Sequence, residues 1–146
     1  MYQPIPVHIV MIEDDEGHAR LIEKNVRRAG VQNPIVAFAN GSSALEFLFD
    51  EARARSKERQ GYLILLDLNL PDMSGVEILK RIKEDDDLKK APVVVLTTTD
   101  DKVEIQRCYE LGCNIYITKP VSYENFARAI LQLGLFLSVV QIPEIL

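Results

Sequence analysis

Polar residues that could do chemistry stand directly behind four short apolar runs of this chain. Three acids follow the first run and one aspartate follows the third, while three threonines end the fourth and a Thr-Lys-Pro triplet ends the fifth. In chain order these residues are Glu13, Asp14, Asp15, Asp67, Thr97, Thr98, Thr99, Thr118, Lys119 and Pro120. Carboxylates are ligands of hard cations, whereas an ammonium group and hydroxyls can neutralise an anion.

Three of the carboxylates, those of Glu13, Asp14 and Asp67, are expected to meet if the runs are parallel strands. Like charges that close repel one another, and a divalent cation between them removes the repulsion. Mg²⁺ suits oxygen ligands at a site open to water, because it keeps several of its own waters. Contact of strand ends with solvent would explain one or two polar residues, but it explains three acids at one point poorly.

A carboxylate beside Mg²⁺ can act as a nucleophile toward phosphorus and form an acyl phosphate. Such a transfer depends on positioning and on neutralising the equatorial oxygens of the phosphoryl group. Mg²⁺ could neutralise one oxygen and Lys119 a second. The hydroxyl and backbone N–H groups of Thr97 and Thr98 could neutralise the third. The residue types therefore suit phosphoryl chemistry assisted by a metal ion.

Five apolar runs of strand length alternate with segments of helical periodicity. We predict strands at 7–12, 35–38, 62–66, 93–96 and 115–118. Helices are predicted at 16–28, from a Ser43/Glu46 capping box, at 74–83, from an Asp101/Glu104 capping box and after Ser122. Their apolar sides include Leu45, Leu48 and Phe49 in the second helix and Phe126, Ile130 and Leu133 in the last. Gly30 and Gly112 are expected to end the first and fourth helices.

Strands that alternate with helices predict a parallel sheet covered on both faces. The expected fold is an α/β, flavodoxin-like (βα)5 doubly wound five-stranded parallel sheet with strand order 2-1-3-4-5. Ligands of such sheets bind beyond the C-terminal ends of the strands, at the switch point between the first and third, where the polar residues fall. The length of 146 residues predicts one domain, 1–146, with an apolar C-terminal extension at about 134–146.

Composition argues against several function classes. The net charge is −5, from 22 acidic and 17 basic residues, which disfavours DNA binding. The basic cluster Arg53, Arg55, Lys57 and Arg59 is interleaved with acids and is interpreted as a solvated face. No run is long and apolar enough for a membrane span, and no secretory signal is visible. With only Cys108 and Cys113, both expected to be buried or half-buried thiols, we expect a cytoplasmic protein.

Four segments, IVMIEDD, LILLDLNLPDMSG, VVVLTTTD and YITKP, together resemble response-regulator receiver domains of two-component systems over about residues 5–133. The resemblance implies that Asp67 accepts a phosphoryl group from a sensor histidine kinase. It implies that Glu13, Asp14, Asp67 and the backbone carbonyl of Asn69 hold Mg²⁺. Asp15, one place beyond the acidic pair, is a weaker candidate.

The same resemblance implies roles for residues at the ends of the last two strands. Thr97 would be the hydroxyl that moves toward the phosphoryl group, and Lys119 would contact that group. Tyr116 would be the aromatic switch residue, with a plain half-buried tyrosine as the alternative. Pro120 would follow a cis peptide bond. Asn69 and Thr99 would influence hydrolysis of the acyl phosphate.

Two features depart from minimal receiver domains, namely a longer, charged stretch at 50–61 and the apolar run from 134 to 146. Both resemble stand-alone regulators associated with bacterial phytochromes, so a bacteriophytochrome is a candidate kinase. The apolar end could pack on its own domain, but we prefer a homodimer. Deletion from about residue 135 should then give a monomer. Output would be a conformational change and protein–protein contact.

Three other functions stay open at this point. The domain could be a phosphate sink or shuttle in a phosphorelay. A haloacid-dehalogenase-like phosphatase also uses a strand-end aspartate and Mg²⁺, but it needs a second acid where Asn69 stands. A flavodoxin needs a phosphate-binding loop rich in Ser, Thr or Gly after the first strand, and the Glu-Asp-Asp-Glu at 13–16 would repel phosphate.

Overall fold

Five strands and five helices alternate along the residues that the computed structural model describes, 7–50 and 61–137. The strands are β1 (Val7–Ile12), β2 (Ile35–Phe38), β3 (Gly61–Leu66), β4 (Val93–Thr97) and β5 (Ile115–Thr118). The helices are α1 (Glu16–Arg28), α2 (Gly41–Leu48), α3 (Gly75–Glu84), α4 (Lys102–Leu111) and α5 (Tyr123–Leu137). A short 3₁₀ turn, Leu88–Lys90, precedes β4.

The five strands form one parallel sheet in the order β2-β1-β3-β4-β5, which confirms the predicted fold. Its register explains the position of the site. Ile12 is level with Leu66 on the neighbouring strand, so the chain leaves the sheet side by side at the next residues, Glu13 and Asp67. On the neighbouring strands β4 and β5, Thr97 is level with Thr118 at the same C-terminal edge. Residues distant in sequence therefore emerge at one edge of the sheet.

Side chains of the central strands alternate between two apolar cores, as expected for strands buried on both faces. On β3, Leu63 and Leu65 pack on the side of α1 and α5, while Ile64 and Leu66 pack on the side of α2, α3 and α4. The predicted apolar positions of α5 are confirmed, because Phe126, Ile130 and Leu133 are all buried. Helix α5 lies so close to α1 that a Cβ built on Gly134 would stand 2.6 Å from that of Ala29.

Most helix ends follow the prediction. Asp101 caps α4 by accepting from the N–H of Val103, and Ser122 accepts from the N–H of Asn125 at the start of α5. Gly30 and Gly112 have positive φ angles of 92° and 107° just beyond α1 and α4. This left-handed conformation is favourable for glycine because it has no Cβ.

The start of α2 differs from the prediction. Asn40 caps the helix, since its Oδ1 accepts from the N–H of Ser43 at 2.8 Å, so the predicted cap Ser43 lies inside α2. The helix therefore begins earlier, at Gly41, and ends earlier, at Leu48. Phe49 falls beyond this end and is 40% exposed, so it does not join the buried apolar side as predicted.

Some predictions concern segments outside the described residues. The basic cluster at 53–59 and positions 138–146 of the apolar extension are among them. Within 7–50 and 61–137, no helix has the length and apolar character needed to cross a membrane. Cys108 and Cys113 are buried free thiols, as predicted, and burial raises the pKa of Cys113 to about 11.

Candidate functional site

Three predicted carboxylates meet where β1 and β3 end. Glu13 and Asp67 are buried, each 6% exposed, while Asp14 is exposed to solvent. One carboxylate oxygen from each of the three lies within 4.8 Å of the others. The set offers only hard oxygen ligands and is open to water on the Asp14 side, which is a donor set that suits Mg²⁺ or a similar divalent cation.

Lys119 brings one positive charge to these acids from the end of β5. Its Nζ lies 2.7 Å from Oε1 of Glu13 and 3.1 Å from Oδ2 of Asp67. The side chain is buried, and its backbone N–H donates to the carbonyl of Thr97 at the end of β4. Charge-assisted hydrogen bonds of this kind are stronger than neutral ones. They keep the ammonium group directly beside the predicted phosphoacceptor.

The two buried carboxyl groups have opposite pKa shifts. Burial, followed by the hydrogen bond to Asp67, raises the pKa of Glu13 to about 8. Burial also acts to raise the pKa of Asp67, but hydrogen bonds from Glu13, the Asn69 N–H and Lys119 outweigh it and hold that pKa below its usual range. One ammonium does not balance this much negative charge, and a proton on Glu13 relieves the excess. A divalent cation could relieve it in the same way.

Asn69 connects the phosphoacceptor loop to the threonines behind β4. Its backbone N–H donates to Oδ1 of Asp67 at 3.0 Å. Its side-chain Nδ2 donates to the hydroxyls of Thr97 at 3.2 Å and Thr98 at 3.3 Å. The loop folds back so closely on Gly75 that a Cβ built on this residue would stand 2.5 Å from the carbonyl oxygen of Asp67. The prediction gave Asn69 a carbonyl ligand role and an influence on hydrolysis, but it did not foresee these side-chain contacts.

Tyr116 lies on β5, outside the cluster of charges. Its hydroxyl donates to the carbonyl of Thr99 at 2.7 Å, which links β5 to the loop that follows β4. Its own N–H donates to the hydroxyl of Tyr109 on α4 at 3.0 Å. Burial raises the pKa of Tyr116 to about 12. The ring is half-buried.

Two expectations from the resemblance need correction. Asp15 caps α1 by accepting from the N–H of His18 at 3.0 Å, which turns its carboxylate to the helix start rather than to the three clustered acids. The peptide bond before Pro120 is trans, not cis, as are all peptide bonds of the described residues. Trans is the lower-energy form of an isolated X–Pro bond.

His18 is a site residue that the prediction missed. Its Nδ1 lies 3.0 Å from Nζ of Lys119 and 3.2 Å from Oε1 of Glu13. It belongs to the first turn of α1, the helix that begins directly after the acids. A side chain in that turn can face the strand ends, so the combination of Asp15 as a cap with a histidine three positions later was the available signal.

Comparison with known families gives a clear result. The family model of the response regulator receiver domain matches residues 9–131, which is most of the chain. The chain belongs to this family. Receiver domains are signalling modules that interact with histidine kinases. The matched family is neither that of the haloacid dehalogenases nor that of the flavodoxins.

Known receiver proteins are similar along nearly the whole chain. A receiver domain from Rhodospirillum rubrum is 62% identical with a TM-score of 0.88, covering 94% of this chain and 98% of that one. Response regulator Rcp1 of Synechocystis is 34% identical over 125 residues, 86% of this chain and 84% of that protein. Its Mn²⁺-bound structure has a TM-score of 0.81 at 30% identity, covering 93% and 98%.

A third relative is the phosphorylated cyanobacterial phytochrome response regulator RcpA. Its structure is 34% identical with a TM-score of 0.82, covering 93% of this chain and 97% of that one. The predicted similarity to phytochrome-associated response regulators is therefore confirmed. The receiver domain described here has the same fold as these regulators and belongs to the same family.

Proposed function

We propose that this receiver domain accepts a phosphoryl group on Asp67 from the phosphohistidine of a sensor kinase. An oxygen of the Asp67 carboxylate forms a bond to phosphorus as the bond from phosphorus to the imidazole nitrogen breaks. The imidazole keeps the electron pair and takes up a proton. The observation that carries the proposal is the meeting of three carboxylates and one ammonium group at the ends of β1, β3 and β5.

Each side chain around Asp67 has a task in this step. The Asn69 N–H, 3.0 Å from Oδ1 of Asp67, orients the carboxylate. Lys119 neutralises charge on a phosphoryl oxygen, and its present distance of 3.1 Å from Oδ2 puts it in reach of a group attached there. Thr97 offers its hydroxyl from the end of β4, and Asn69 and Thr99 flank the water that later hydrolyses the acyl phosphate to inorganic phosphate.

We further propose Mg²⁺ as the cofactor of this site. Glu13, Asp14, Asp67 and the carbonyl of Asn69 would hold it, and when bound it would neutralise a phosphoryl oxygen. Support comes from the closeness and hardness of the three carboxylates and from the pKa of Glu13, which burial and the neighbouring Asp67 raise. The Mn²⁺-bound structure of the relative Rcp1 supports a divalent cation as cofactor.

Phosphorylation would signal through the segment behind β4. The new charge draws in the hydroxyl of Thr97, and the movement reaches Tyr116 through the hydrogen bond of its hydroxyl to Thr99. The effect is a population shift between two conformations that changes contacts with other proteins. The similarity to phytochrome response regulators supports a bacteriophytochrome as the kinase. A cytoplasmic location and a homodimer formed through the C-terminal region complete the proposal.

The experiment that tests the phosphoacceptor uses Asp67→Asn. The full chain is incubated with Mg²⁺, labelled ATP and a purified bacteriophytochrome kinase, and label on the receiver is followed over time. We expect the variant to take up no label, because an amide nitrogen or oxygen is a far weaker nucleophile than a carboxylate. Asp86→Asn, which removes an exposed aspartate remote from the site, is the matched control and should label normally.

Two outcomes decide the matter. Loss of label in Asp67→Asn with an unchanged circular dichroism spectrum supports the assignment. Label that persists on another aspartate of the folded variant would overturn it, and mass spectrometry of the labelled peptide would identify that residue.

A further inference from the structure

The imidazole of His18 contacts the buried charges from α1, and the phosphoryl-transfer scheme above leaves it without a task. Its Nδ1 lies 3.0 Å from Nζ of Lys119, and the ring is about one-third exposed, at 32%. The ring also packs edge-on against Phe126 of α5, with 5.3 Å between centroids and 79° between planes. A polar atom of His18 therefore faces the ammonium group, and its ring is held in place from the side.

The direction of the hydrogen bond follows from the partners. An ammonium group has three protons and no lone pair, so it can only donate, and Nδ1 of His18 accepts in this contact. Nδ1 also lies 3.2 Å from Oε1 of Glu13, but that oxygen already accepts from Lys119, so we take the tautomer with the ring proton on Nε2. Lys119 has three acceptors for its three protons, namely Oε1 of Glu13 at 2.7 Å, Nδ1 of His18 at 3.0 Å and Oδ2 of Asp67 at 3.1 Å. These three contacts determine where the ammonium group stands.

We propose that His18 is a positioning residue, which holds the Lys119 ammonium group at the Asp67 oxygen where the phosphoryl group becomes attached. The inference rests on the proposed function of Asp67. Without His18, the hydrogen-bond partners of the Lys119 ammonium group are the carboxyl groups of Glu13 and Asp67, and both of these are also candidate ligands of the divalent cation. His18 is not a candidate ligand of the cation, so it stays available as an acceptor for Lys119.

The lack of charge on this acceptor matters for the chemistry. A third carboxylate at this place would hold the ammonium group more strongly and would repel an incoming phosphoryl group, which is itself negative. An imidazole nitrogen directs the ammonium group without adding negative charge. Lys119 can then turn one of its protons to a phosphoryl oxygen while the contact with His18 keeps it in place.

Two substitutions of His18 separate positioning from packing. In His18→Asn the side-chain oxygen is attached to Cγ, as Nδ1 is in histidine, so it can accept the same hydrogen bond. In His18→Leu the acceptor is lost, but apolar bulk against Phe126 remains. If the ring had a purely structural role, His18→Leu would keep more of the phosphorylation rate than His18→Asn. A positioning role favours asparagine.

The measurement is the initial rate of phosphorylation of the full chain by phosphoramidate with saturating Mg²⁺. This small donor avoids any effect of the substitutions on contact with a kinase. We expect His18→Leu to lower the rate about tenfold, the loss of roughly one charge-assisted hydrogen bond in the transition state. We expect His18→Asn to stay within about threefold of the original chain. Thermal unfolding of each variant establishes that it is folded at the assay temperature.

A second pair of variants tests whether His18 acts through Lys119. If it does, His18→Leu has no further effect on the rate in a chain that already carries Lys119→Met. An equal loss in both backgrounds would overturn the proposal, as would a rate for His18→Leu equal to that of the original chain. Failure of the original chain to become phosphorylated would instead overturn the proposed function of Asp67, so the two failures are distinguishable.

Discussion

Two carboxylates of this receiver domain, on Glu13 and Asp72, have opposite surroundings. Glu13 is buried against Asp67 and Lys119, and its pKa is raised to about 8, mainly by burial. Asp72 lies in the loop between β3 and α3 and accepts from the hydroxyl and N–H of Ser42 and from the N–H of Gly41. These hydrogen bonds, that from the Ser42 hydroxyl first, lower its pKa to about 2.

The difference separates a structural carboxylate from a reactive group of carboxylates. Asp72 is surrounded by donors at the start of α2, where a negative charge is also favoured by the helix dipole. It therefore joins two loops that are 30 residues apart in sequence. Glu13 and Asp67 share one ammonium group, and Glu13 has too few donors to offset its burial. Burial therefore makes ionisation of Glu13 unfavourable in the folded protein.

Among substitutions that test this difference, Lys119→Met is expected to have the largest effect, on the rate of phosphorylation. Removal of the buried Lys119 ammonium group leaves a phosphoryl oxygen without its partner and increases the repulsion between the carboxylates. We expect phosphorylation by phosphoramidate to slow by about 100-fold, as for loss of one preorganised charge-stabilising donor. Lys89→Met, at an exposed lysine in the 3₁₀ turn, is the matched control. An unchanged rate in folded Lys119→Met would remove Lys119 from the mechanism.

A smaller effect is expected from Glu13→Gln on stability. Without metal, Glu13 in the folded protein keeps its proton up to about pH 8, whereas in the unfolded chain it ionises near 4.5. Ionisation therefore favours the unfolded chain as the pH rises from 4.5 to 8. Glutamine does not ionise, so the variant lacks this destabilisation. In chelator at pH 7.5 we expect the variant to have a free energy of unfolding about 1–2 kcal/mol higher than the original chain.

Urea unfolding at pH 5 and pH 7.5 measures this difference, which should be small at the lower pH. Saturating Mg²⁺ should stabilise the original chain more than Glu13→Gln, because a ligand of the cation is missing in the variant. Equal stabilisation of both proteins by Mg²⁺ would contradict the proposed role of Glu13. Asp14→Asn, at the exposed member of the three, is a comparison at a carboxylate that is not buried.

The smallest effect is expected from Asp72→Asn. The folded pKa is lower than the unfolded one, so the carboxylate stabilises the protein above about pH 4, and this contribution is lost as the pH falls toward 2. We expect a modest decrease in melting temperature at pH 7 and a shrinking difference toward pH 3. Phosphorylation by phosphoramidate should not change. A variant with the same melting temperature as the original chain at pH 7 would show that the Asn40 cap is sufficient to hold the start of α2.

The sequence by itself determined the order of strands and helices and the acids that meet at the sheet. Apolar periodicity is a local property, and a parallel (βα)5 chain has few ways to wind. Once the order of strands is known, the polar residues at their ends must share one edge. Glu13, Asp67, Thr97 and Lys119 could be brought together for this reason before any distance was known.

Only the tertiary structure decided which side chains contact one another at that edge. The cap of α2 went to Asn40 because Asp72, from a distant loop, holds the first N–H groups of the helix. His18 contacts Lys119 and the side chain of Asn69 contacts Thr97 because α1 and the loop after β3 pack against this edge of the sheet. Such contacts depend on rotamers and packing between elements far apart in sequence, which spacing along the chain does not encode.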